Sequence, residues 1–216
     1  MPPLLRLRQV GIPEALQAPS GDRQAADNPL VLDESDGALS LETSVGTLVH
    51  RCLEIIAQQG TEGWSPERVA AAEPAYRRWL AARGHPPEAV EAGAADVVAA
   101  LAGTLNSEPG RWVLAAHAEG AAEQAWSSLE DRQASHHVID RCFVADGCRW
   151  IIDYKTARLP ESELRQRAES HRPQLERYAA LFAGDLLPIR AAIFFPMQGV
   201  LVELPPGHAL GNVLGE

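Results

Sequence analysis

The sequence predicts a mixed α/β (α+β) domain, a central sheet flanked by helices with extra helices on its N-terminal side. Three observations predict it. Apolar residues recur at helical spacing from about 43 to 105. Two strand-forming runs follow, joined by Asp146-Gly147, a strong hairpin signal. A further helical stretch then precedes two short apolar runs.

In chain order, residues 1–40 lack an apolar period, and Gln17 to Asn28 is rich in Gly, Ala, Ser and Asp, so this stretch reads as an extension or linker before a domain at 41–216. The first helix begins near Thr43 or Ser44, carries Leu48, Cys52, Ile55 and Ile56 on one side, and stops at Gly60. A second helical region runs from Ser65 to Ala82, with Pro66 in its first turn and Pro74 able to split it. A third covers Pro87 to Leu105, with an apolar stripe of Val90, Ala94, Val97, Val98 and Leu101. Strands are expected at Trp112–Ala115, Glu123–Leu129, His136–Ala145 and Arg149–Tyr154. A polar stretch after Thr156 leads to a helix over Pro173–Phe182, and Arg190–Pro196 and Val200–Leu204 form a last hairpin around Gln198-Gly199.

The chemistry concentrates in Ile139-Asp140-Arg141 and Ile151-Ile152-Asp153-Tyr154-Lys155-Thr156. Residues two apart on a strand share a face, so Asp153 and Lys155 project together while Ile152 and Tyr154 face away. Asp140 lies on the partner strand and reaches the same face if the register pairs them. An Asp-x-Lys on a surface strand is commonly just a solvated face. Here the pair ends an apolar strand and has a second acid beside it. Two close carboxylates repel unless a cation neutralises them. Carboxylate oxygens and water suit magnesium or manganese. A lysine at that point can orient or deprotonate an attacking water and stabilise developing charge.

Composition bounds the rest. The net charge is −10, with 46% hydrophobic and 22% charged residues. This is ordinary for a soluble globular chain but awkward for autonomous binding to phosphates. Acidic metal ligands would account for part of it, since they count as negative until an ion binds. Cys52, Cys142 and Cys148 form no CxxC pair, which argues against a zinc ribbon or disulfide framework and for reduced thiols in the cytoplasm. No apolar run approaches a membrane span, and no GxxxxGK[ST] phosphate loop occurs. Trp64, Trp79, Trp112, Trp126 and Trp150 are spread along the chain and read as packing; His117, His136 and His137 read as strand-face or surface groups, and Arg141 as structural.

The Ile-Asp-Arg, hairpin, Ile-Ile-Asp-Tyr-Lys-Thr series resembles the RecB/AddA-type nuclease domain of the PD-(D/E)XK superfamily, as found at the C-terminus of UvrD/RecB-like helicases. Gly46-Thr47-Leu48-Val49-His50 looks like its Gly-x-x-x-His motif, Gln174 to Tyr178 like its Gln-x-x-x-Tyr motif, and Phe194 to Pro196 like its Phe-Phe-Pro. Relatives often carry Gly shortly before the first Asp, where this chain has His136, His137 and Val138. The resemblance implies a restriction-endonuclease-like core and a metal-dependent DNA nuclease, with Asp140, Asp153 and Lys155 catalytic. It implies one or two Mg2+ or Mn2+ ions held by His50, Asp140, Asp153 and the Tyr154 carbonyl. Gln174 and Tyr178 are expected to touch substrate, and Arg172 and Arg177 are further candidates for phosphate contact. Glu123 is a candidate ligand, a partner of the ligands, or a strand-surface charge. The expected partners are linear DNA, single-stranded or at unwound ends, and a separate or fused helicase, in recombination or repair. The rival expectation is a catalytically weak or inactive module that binds DNA ends or a helicase.

Overall fold

The computed structural model describes residues 39–130 and 133–204, and side chains there outside 123–137. Helix α1 spans Leu41–Gln59, its first turn capped by Ser40, whose side chain accepts from Thr43 N. A 3-10 turn at Thr61–Gly63 leads to α2 (Pro66–Ala71) and α3 (Glu73–Ala81). The break between them falls just before Pro74, as a proline inside a helical pattern requires. Helix α4 is Pro87–Asn106.

Trp112–Ala115, expected as a strand, instead ends helix α5 (Glu108–Leu114). The local signals favour a helix: Ser107 accepts from Gly110 N, Pro109 sits in the first turn and Glu108 faces the helix dipole. Val113 and Leu114 are buried, which mimics a short strand when read as a run. The polar stretch after Thr156 also differs from expectation. It contains helix α6 (Glu161–Ser170), which buries only Leu164 and Ala168, one turn apart, so its apolar period is too thin to read. Helix α7 follows at Arg172–Ala180.

Five strands form one sheet in the order β1-β2-β3-β4-β5: Ala118–Glu130, Gln133–Ala145, Cys148–Tyr154, Ile189–Phe195 and Val200–Leu204. All neighbours are antiparallel except β3 and β4, which are parallel. A parallel pair needs a long crossover, and α6 and α7 supply it. The β2–β3 turn has positive φ at both Asp146 and Gly147, the geometry that suits the twist of a two-residue hairpin.

The sheet is covered on both faces. Trp150, Ile152, Tyr154, Ala192 and Phe194 pack with helices α1 to α5. Ile151, Ala191, Ile193 and Phe195 pack with Leu164 of α6 and Leu175 and Tyr178 of α7. The alternation is the period of two built into an extended chain. Arg141 joins the layers: its Nε donates to Val113 O at 3.0 Å and its Nη2 to Ala115 O at 2.7 Å, tying β2 to the end of α5. Among the described residues no helix is long and apolar enough to cross a membrane.

Candidate active site

The β2–β3 ladder runs from Ala145–Cys148 to Arg141–Ile152, so Asp140 and Asp153 are the next residues along. Here a side chain closes the ladder. Asp140 Oδ2 accepts the backbone N–H of Tyr154 at 2.7 Å. On its other side β3 remains paired: Asp153 lies opposite Ile193, and Lys155 N donates to Phe194 O at 2.9 Å. The two acids therefore stand at the end of a central strand pair, anchored by backbone on both flanks. Both are buried, Asp140 with 7% and Asp153 with 3% of its surface exposed.

Each helical layer sends side chains to this point. From α1, His50 Nδ1 lies 3.1 Å from Asp140 Oδ1, with its ring edge-on to Tyr154. One turn earlier, Gly46 lets α1 lie close to the end of β3: a Cβ there would come within 3.2 Å of Thr156 Oγ1. From α7, Gln174 and Tyr178 share a face at i and i+4. Gln174 Nε2 donates to Asp153 Oδ1 at 2.8 Å and to Tyr178 Oη at 2.7 Å, while its Oε1 accepts from Lys155 Nζ at 3.3 Å. Lys155 Nζ also lies 2.7 Å from Asp153 Oδ2, so the ammonium is an ion-pair partner of that buried oxygen.

Burial pushes the Asp153 carboxyl up to about 6, and the Asp140 charge adds to the rise against the pull of Lys155 and His50. Burial likewise raises the Tyr178 phenol, despite its hydrogen bond with Gln174. His171, which precedes α7, is lowered to about 4, by burial first and then by the positive charges of Lys155 and Arg167.

Two acids and an imidazole meeting at one largely buried point suit a divalent cation in donor chemistry. Among the described residues no three such side chains are already spaced as a cage. Asp140 Oδ1 is engaged by His50 and Oδ2 by the Tyr154 amide.

Of the residues singled out in the sequence, His50, Asp140, Asp153, Lys155, Gln174 and Tyr178 thus come together. The Tyr154 ring lies in the core on the α1 side, edge-on to His50, while its backbone N–H meets Asp140. The Glu123 backbone falls between the pairs Ala122–Arg141 and Gln124–Ile139; its side chain, with those of Trp126, His136 and His137, lies outside the described residues. Residues 1–38, the bulk of the expected linker, lie outside them too. His117 stacks on Phe143 with ring centroids 4.0 Å apart, a packing role. Arg172 pairs with Glu169 at 2.8 Å. Sequence reasoning passed over His171, whose only signal was its place just before the expected helix start at Pro173, and Gln198, whose amide reaches back to the segment after Lys155 at Leu159 O.

No curated protein shows a significant match to this chain. A family comparison, by contrast, matches residues 29–204 to the PD-(D/E)XK nuclease superfamily. The match takes in α1, the whole sheet and both crossover helices, and spans most of the 216 residues, so the chain belongs to that superfamily.

Proposed function

We propose that the chain is a Mg2+- or Mn2+-dependent deoxyribonuclease that hydrolyses phosphodiester bonds at the pocket shared by Asp140, Asp153 and Lys155. Membership of the superfamily implies a metal-dependent nuclease. The observation that carries the more specific reading is the meeting of these three side chains with His50 at one end of the β2–β3 pair. Asp140, Asp153, His50 and the Tyr154 carbonyl are the groups that would hold the ion. A divalent ion bound there would polarise the scissile phosphate and lower the pKa of a bound water.

The chain's own residues do the rest. Lys155, held between Asp153 and Gln174, places a positive charge where an attacking water and a phosphate oxygen would meet. Gln174 fixes both Asp153 and Lys155, and so sets the direction in which each points. Tyr178 accepts from Gln174 and fixes its rotamer in turn. The sheet-end placement of the acids leaves little freedom to lose when substrate binds. Action on linear DNA, single-stranded or at unwound ends, beside a separate or fused helicase in recombination or repair, is the setting that fits a cleaving site on a chain with net charge −10 and no phosphate-loop motif.

The test is cleavage of labelled linear single- and double-stranded DNA with Mn2+ or Mg2+. Cleavage is expected from the parent chain and to fall by about 10²-fold or more in Lys155→Ala, the scale for losing a general acid–base group. Asp153→Ala should lose cleavage and keep its fold by circular dichroism. Binding of DNA ends with no metal-dependent cleavage by the parent would favour a non-catalytic end-binding or helicase-interaction module, the alternative that the acidic charge supports.

A further inference from the structure

The segment leaving the site does not run into solvent at once. Ala157 and Leu159, with Glu163, Gln166, Arg167 and Ser170, line a groove of about 380 Å³. The four α6 residues are spaced i, i+3, i+4 and i+7, one exposed face of that helix. Its opposite face buries Leu164 and Ala168 against the sheet, so the groove floor is fixed. The facing wall is fixed too, because Gln198 Nε2 donates to Leu159 O at 2.9 Å. Ala157, the start of this wall, follows Lys155 by two residues.

The charges along the groove are unequal in freedom. Arg158, on the same segment, is tied to Asp96 at 2.8 Å, and Arg172 to Glu169 at 2.8 Å. Arg167 makes no ion pair within the described residues and is exposed. Helix α6 ends one residue before His171, which leads into α7 and Gln174, so Arg167 stands one turn from the segment that returns to the site. Arg167 presents a fork of donors matched to phosphate oxygens, with the Gln166 amide beside it on the helix. The groove volume is of the size that one nucleotide fills.

We propose that this groove carries the backbone of a single DNA strand into the active site, with Arg167 engaging a phosphate next to the scissile one and Glu163 weakening the grip. The assignment rests on the nuclease reading for its direction, but its test does not. Anisotropy of a fluorescent single-stranded oligothymidylate, titrated with the full chain in EDTA, reads binding without cleavage. Arg167→Ala should weaken binding about fivefold and make its salt dependence shallower by close to one phosphate contact. Glu163→Gln should tighten it. Arg165→Ala, on the other side of α6, should leave it unchanged. With metal, Arg167→Ala should raise KM and spare kcat. Equal binding by the parent, Arg167→Ala and Glu163→Gln would overturn the assignment, as would no binding by the parent or tighter binding to duplex. Cleavage by the parent with KM unmoved in Arg167→Ala would sink the groove and leave the nuclease standing. The binding pattern without any cleavage would do the reverse.

Discussion

Replacing Arg141 should cost stability and leave the chemistry intact. The side chain is 4% exposed, yet it sits next to Asp140 in sequence. Its guanidinium gives two charge-assisted hydrogen bonds, to Val113 O and Ala115 O. Each such bond contributes about 1.5–3 kcal/mol, and Arg141→Met removes both while keeping most of the apolar stem. Part of this is offset because burial disfavours the charged guanidinium, whose pKa is lowered for that reason. The expected loss is about 3 kcal/mol, a large share of the roughly 5–15 kcal/mol that holds a domain together. Arg141→Lys, which cannot span both carbonyls with one fork, should lose about half as much. Urea unfolding followed by tryptophan fluorescence reads the difference, since Trp112 and Trp150 pack beside this link. Metal-dependent cleavage per folded molecule should match the parent. A change in unfolding free energy of less than about 1 kcal/mol would refute the view that Arg141 ties α5 to the sheet. Full stability with lost cleavage would place Arg141 in the chemistry instead.

Two further outcomes follow from particular contacts. Gly199 has φ +64, and a Cβ there would meet Gly103 O at 2.7 Å and the Ser107 Cβ at 2.6 Å, so Gly199→Ala should lower stability by at least about 2 kcal/mol in urea titration. His171 has its pKa lowered to about 4, below the ordinary 6.5, so the unfolded chain binds the extra proton first. The stability it contributes is full above pH 6.5 and is lost as pH falls through 4. Asp153, raised to about 6, works in the opposite sense, being most stabilising below its ordinary value and less so as pH rises through 6. The two partly cancel in the parent. Comparing it with His171→Gln in EDTA isolates the histidine: the parent should lose stability relative to the variant as pH is lowered from 7 to 4, and parallel profiles would rule the effect out.

Much of the architecture was legible in the sequence because it rests on local periodicity. The stripe through Leu48, Cys52, Ile55 and Ile56, the split at Pro74 and the Asp146-Gly147 turn each express a short-range rule, and the structure keeps all three. The misreadings arose where local pattern is ambiguous. Val113 and Leu114 make a short apolar run that a helix end and a strand share, and the Ser107 cap decided between them. Helix α6 shows almost no apolar face because only two of its residues touch the core.

The sequence by itself determined which residue types could do chemistry and that Asp153 and Lys155 share a side of one strand, since an extended backbone alternates with period two. It did not determine that Asp140 stands at the end of the ladder beside Asp153 and accepts from the Tyr154 amide, because register depends on pairing across the hairpin. Only the tertiary structure brought His50 from α1 and Gln174 from α7 to the same acids, and only it set the Arg167 face of α6 beside the exit from Lys155. Those residues are far apart in the chain. Their meeting follows from two helical layers closing on opposite faces of one sheet, which no local pattern encodes.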